Sequence, residues 1–172
     1  ADKAAETRVE KYLQELEAKG RYNLTLWPPH CLKGSSGMAV EQNIWNAVSE
    51  WERAETSSDA DYIVKGSNPY TDHYSALQAE VGDSEDPSTL MNFSLINKLK
   101  KADRIVIAGE ALSHCVANTV QDLSAYIPPS SFVLLRDCTS SVAGFEKVSE
   151  RFISRMEERG MQCVLSSEFS LS

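Results

Sequence analysis

The sequence has no apolar run of about 18 residues, the length a membrane-spanning helix needs. It has no polybasic block either. Lys and Arg number 17 against 25 Asp and Glu, giving a formal net charge of −8. A surface of that sign repels phosphate, which excludes nucleic acid and anionic membranes as expected partners. The four cysteines, Cys31, Cys115, Cys138 and Cys163, contain no CxxC pair, so a structural zinc site is not expected. Four cysteines in 172 residues fit a reduced, cytoplasmic chain better than a disulfide scaffold. No internal repeat, low-complexity tract or interdomain linker interrupts the chain, so residues 1–172 are expected to form one domain.

What is present is a globular composition, 42% apolar, arranged in alternating patterns. Val9, Leu13 and Leu16 recur at helical spacing over residues 3–19, and Gly20 stops that helix. Residues 22–27 read as a short strand ended by Pro28 and Pro29, which lack the N–H a ladder needs. Val40, Ile44, Val48 and Trp51 predict a helix over 39–54. Residues 62–65 read as a second short strand, and 67–87 as a long polar connection of the kind that often carries function. A helix is expected over 88–101. The clearest buried strand is 104–109, followed by a helix over 113–126 and a strand over 132–136. Phe145, Val148, Phe152 and Met156 mark the last long helix, and 162–165 a last strand.

Apolar strands alternating with helices imply an α/β fold with a mostly parallel sheet covered on both faces, a three-layer α/β/α arrangement. In such sheets chemistry gathers at the C-terminal ends of strands. Three such ends carry reactive types: Trp27 to His30, Lys65, and Glu110 to Cys115. Cys115 follows a buried strand and opens a helix, where unpaired N–H groups favour a thiolate and can hold an oxyanion. The plainer alternative is a buried structural cysteine. Lys65, at a strand end, can stabilise a neighbouring thiolate or simply be solvated. His30, presented from a stiff proline turn, can ligate a metal or make ordinary loop hydrogen bonds. His114 directly precedes Cys115 and is a poor base for it, since adjacent helical residues face different ways. A Cys–His dyad would need His30 or His73.

Several stretches resemble the isochorismatase-like cysteine hydrolases, most closely the nicotinamidase branch. They are Trp27-Pro28-Pro29-His30-Cys31 with Gly34 and Gly37, Val64-Lys65-Gly66, Asp72-His73-Tyr74-Ser75-Ala76, and Ala108-Gly109-Glu110-Ala111-Leu112-Ser113-His114-Cys115-Val116. The resemblance implies an isochorismatase-like, Rossmann-like sheet and a catalytic Asp, Lys and Cys, with Cys115 as nucleophile and Lys65 as its partner. It implies a non-proline cis peptide between Glu110 and Ala111 and an oxyanion hole from the N–H groups of Ala111 and Cys115. It also implies His30 as a ligand to a divalent metal, usually zinc, and no organic cofactor. Trp27, Tyr70 and Tyr74 are expected to line an aromatic pocket for a small-molecule amide.

Two departures stand out. Ser113 and His114 occupy positions where the family often has Asp and Tyr, which bears on pocket polarity. The family's first strand with its catalytic Asp, and the Asp-x-His pair after the second, have no counterpart. Asp2 follows no apolar strand, and Asp61 precedes its strand. The expectation is therefore the C-terminal part of an amide hydrolase, lacking the first strands. It would become active in an oligomeric assembly with a partner segment or chain that carries the Asp. The alternatives are an isochorismatase-type hydrolase of another small substrate and a non-catalytic binding module of the same fold.

Overall fold

A computed structural model describes residues 3–54 and 59–170. Asp2, weighed above as a catalytic carboxylate, lies outside the described residues. The chain groups into two compact units, one of Ala1–Glu15 with Val64–Ser172 and one of Leu16–Ile63.

The larger unit is built on a three-stranded parallel sheet in the order β1 (Ile105–Glu110), β2 (Phe132–Ser140), β3 (Gln162–Val164). Ile105 pairs with Phe132 and Leu134 with Cys163, and the β1–β2 register slips between Ile107 and Gly109. Parallel strands need crossovers, and helices supply both. A π turn at Leu112–Val116 runs into one helix (Ala117–Leu123) between β1 and β2, and a longer helix (Glu146–Glu158) joins β2 to β3. Phe132, Leu134, Val120, Ile96, Phe152 and Met156 form the heart of the core, each at most 2% exposed. Full burial of such a side chain contributes about 1.5–3 kcal/mol.

The Glu146–Glu158 helix shows how sequence sets an end. Gly160 adopts φ +100°, a conformation open to glycine without Cβ strain. Its N–H donates to Glu157 O at 2.8 Å, and Met161 N–H donates to Met156 O at 2.9 Å, the paired bonds of a Schellman stop.

β2 is flanked on both sides and its residues 132–134 are all buried; β1 lies at the edge of the described sheet, with Val106 39% exposed, as expected of a chain lacking the first strands. Three expectations change. Residues 22–27 and 62–65 belong to no strand among the described residues, because a ladder needs two segments bonded in register. The 88–101 helix shortens to Phe93–Leu99, because the Asn92 side chain caps it by accepting from Leu95 N–H at 3.0 Å. The 113–126 helix opens with the π turn.

The 67–87 connection is ordered by its own polar residues. Asn68 Nδ2 donates to Asp83 Oδ2 (3.2 Å) and Asp86 Oδ2 (3.0 Å), and Asp83 N–H donates to Thr89 Oγ1 (2.8 Å). Leu77, Ala79 and Val81 anchor it in the interior.

α1 (Lys3–Lys19) begins in this unit and ends in the smaller one. There it stops at Gly20, at φ +60°. An irregular segment with a 3-10 turn at Ser36–Met38 follows, and then α2 (Gln42–Ala54). The Glu41 carboxylate accepts from the N–H groups of Asn43 (2.8 Å) and Ile44 (3.2 Å), so α2 starts later than its apolar pattern suggests. Among the described residues no helix is long and apolar enough to cross a membrane.

Candidate functional site

β1 delivers the chain to Glu110, and the Glu110–Ala111 peptide bond is cis, at the position the resemblance implied. Glu110 is exposed, its Oε2 accepting from Ser140 Oγ at 2.8 Å. Ala111 O accepts from the N–H groups of His114 (3.0 Å) and Val116 (3.1 Å), which closes the first turn around Cys115. The two residues before Cys115 face inward. Ser113 Oγ accepts from Val142 N–H at 3.1 Å and lies 2.9 Å from His114 Nδ1. The His114 ring sits 4.7 Å from Phe145 and 5.5 Å from Tyr74, centroid to centroid. Ser113 is fully buried and His114 is 4% exposed. Burial lowers the His114 pKa from its ordinary value, because a charged ring there would lose its hydration.

Cys115 itself is half-buried. Its carbonyl accepts from Thr119 Oγ1 at 2.7 Å, and Thr119 Oγ1 accepts from Ala76 N–H at 2.9 Å. This ties the nucleophile turn to the 67–87 connection. The same connection holds Lys65. The Lys65 ammonium donates to His73 O at 2.9 Å and reaches Cys115 Sγ at 3.4 Å. Among the described residues Lys65 forms no ion pair. The His73 ring is half-buried, and its Nε2 is buried without a hydrogen-bond partner among the described residues. Burial first, and then the Lys65 charge, lower the His73 pKa, while Asp86 acts in the opposite direction.

The structure thus brings Cys115, Lys65 and Ala111 to one sheet end in the larger unit. The remaining predicted residues are placed differently. Tyr74 is 9% exposed and packs on His114. Tyr70 carries the Arg8 guanidinium 3.9 Å over its ring and lines a cleft of about 100 Å³ with Arg8, Tyr12, Asn68 and Asp83; Cys115 is not among the residues lining it. Trp27 and His30 lie in the smaller unit, Trp27 half-buried and His30 exposed. The His30 ring donates from Nδ1 to Pro28 O at 2.7 Å, which leaves Nε2 for a ligand. Among the described residues no three His, Cys, Asp or Glu side chains gather to hold a metal. His30 by itself does not make a metal site. The sequence reading passed over Tyr12 and Thr119. Their signal was weak, one aromatic on a charged helix and one hydroxyl inside a helix.

No family model matches the chain, and no curated protein does. Solved structures do. The yeast nicotinamidase Pnc1p, bound to the inhibitor nicotinaldehyde, superimposes with a TM-score of 0.61 at 19% identity, over 83% of this chain and 60% of that one. PnC1 from L. infantum, in complex with nicotinate, gives 0.58 at 25% identity, over 83% and 62%. The pyrazinamidase of Pyrococcus horikoshii, in complex with zinc, gives 0.50 at 20% identity, over 94% and 86%. The likeness is one of fold, and the chain spans about 60% of the length of the yeast protein.

Proposed function

We propose that this chain, with the isochorismatase-like fold of the nicotinamidases, carries the Cys–Lys portion of a thiol hydrolase that cleaves the C–N bond of a small carboxamide. The observation that carries the reading is the 3.4 Å approach of Lys65 Nζ to Cys115 Sγ at the end of β1. An ammonium at that distance stabilises a negative sulfur, and it does so more strongly in a half-buried site than in water.

In the reaction, the Cys115 sulfur attacks the amide carbonyl carbon. A C–S bond forms, and the carbonyl electron pair moves onto oxygen. The N–H groups of Ala111 and Cys115 hold that oxyanion. The C–N bond then breaks, nitrogen takes a proton, and ammonia or an amine leaves an acyl thioester. Water adds to the thioester and releases the carboxylic acid and the thiol. The proton of Cys115 goes to a carboxylate supplied from outside the described residues, by a segment or partner chain lying along the free edge of β1. In the same assembly His30 would offer Nε2 as one ligand of a divalent ion, the other donors coming from that partner.

Release of ammonia from nicotinamide and pyrazinamide by the assembled protein tests the reading. Cys115→Ala should abolish it. Ammonia release that survives in Cys115→Ala would remove the nucleophile from the scheme.

One observation favours a second reading, a binding module without turnover: among the described residues no carboxylate pairs with Lys65. Mass spectrometry of the native protein separates the two. A second chain or segment bound to this one favours the hydrolase, and a lone chain of 19.1 kDa favours the module.

A further inference from the structure

The long connection that holds Lys65 is itself held by α1. Tyr12 Oη donates to Asp72 Oδ2 at 2.5 Å and accepts from Asp72 N–H at 3.3 Å. Asp72 is thereby gripped at its carboxylate and at its amide by one hydroxyl. Its carbonyl accepts from Glu80 N–H at 2.7 Å, so it is fixed on three sides. The next residue, His73, offers the carbonyl that takes the Lys65 ammonium. A second tie lies one helical turn away on α1. Arg8 pairs with Asp83 and lies over the Tyr70 ring, and Asp83 is bonded to Asn68. Burial, and then the hydrogen bond to Asp72, push the Tyr12 hydroxyl pKa up, so it remains a donor across the physiological range.

A lysine stem is flexible, and its ammonium goes where a fixed acceptor holds it. His73 O is that acceptor here, and its position follows from that of Asp72. We propose that Tyr12 is a positioning residue for the Cys115–Lys65 pair, clamping Asp72 so that the His73 carbonyl aims the Lys65 ammonium at sulfur. The proposal rests on the reading of that pair as a reactive site. It assigns a task to a charged opening helix that the catalytic scheme leaves unused.

The test is iodoacetamide labelling of the native assembly between about pH 6 and 9, with peptide mapping, in wild type, Lys65→Ala, Tyr12→Phe and Asp72→Asn. At neutral pH, Lys65→Ala should slow Cys115 labelling by about tenfold and Tyr12→Phe by about threefold, since only part of the ordered ammonium population is lost. Asp72→Asn keeps an oxygen that accepts from Tyr12 and should stay within about twofold of wild type. Labelling of Cys163 should not change. If Tyr12→Phe labels Cys115 like wild type while Lys65→Ala is slow, the positioning role is overturned and the Cys–Lys reading stands. If Tyr12→Phe raises Cys163 labelling in parallel, the hydroxyl serves general packing and the role is likewise overturned. If Lys65→Ala itself labels like wild type, it is the Cys–Lys reading that fails.

Discussion

Lys65 and Cys115 stand fifty positions apart in the chain, and the ammonium of one lies 3.4 Å from the sulfur of the other. The contact depends on two tethers. Thr119 ties the nucleophile turn to Ala76, and His73 O ties Lys65 to the same connection. A cation placed this way acts on the sulfur without any proton transfer of its own.

Thiol reactivity should separate the four cysteines. Burial and the Glu157 charge push the Cys163 thiol up to about 12, so it should resist alkylation. Cys31 and Cys138 are exposed and should react as ordinary thiols. Cys115, with the ammonium beside it, should be labelled first under limiting iodoacetamide near pH 6.5. Mapping the modified peptide reports the order, and preferential labelling of Cys31, Cys138 or Cys163 would count against the proposed nucleophile.

Lys65→Ala in the assembled protein should reduce amide turnover by about 10²–10³, the loss expected when one preorganised charge is removed from a developing anion. The melting temperature should change little, because Lys65 lies outside the apolar core. Turnover near that of wild type would take Lys65 out of the mechanism.

His114 should make the fold acid-sensitive. Its folded-state pKa is lowered by burial, so between that lowered value and the ordinary value near 6.5 the unfolded chain binds more protons. The stability is fully present above about pH 6.5 and is lost as pH falls through that window. Calorimetry at about pH 7.5 and 5.5 should show a smaller drop in melting temperature for His114→Phe, which keeps an aromatic ring between Tyr74 and Phe145. His73, shifted in the same direction by its own burial, should leave a residual slope. An unchanged slope in the variant would exclude His114 as a source.

The outer edge of β1 should pair with a strand from outside the described residues. Val106 is 39% exposed, and β1 bonds only to β2 among the described strands; such an edge invites pairing. A structure of the complete native assembly should show that strand, with a carboxylate in hydrogen-bond reach of Cys115 and Lys65. A β1 edge facing solvent in the assembly would leave the binding-module reading in its place.

Much of this protein was legible in its residues. The alternation of apolar runs and helical stripes gave the parallel α/β class, because period and burial are local properties of the chain. The glycine stops at Gly20 and Gly160 were equally readable, since each needs a positive φ that glycine adopts without strain. The run from Ala108 to Val116 carries the resemblance that implied the cis bond at Glu110–Ala111, while position alone left Cys115 open between nucleophile and structural cysteine.

Tertiary structure decided the rest. Residues 22–27 and 62–65 have strand-like composition but form no ladder among the described residues, and a ladder is a property of two segments. Only the folded chain sets the Tyr74 ring against His114, a contact that no local pattern encodes. Ser113 and His114 differ from the family pattern, and only their burial shows that they face the interior. Tyr12 carried only a weak signal, one aromatic on a charged helix. Its role is set by Asp72, sixty positions away, and no local pattern encodes a partner at that distance.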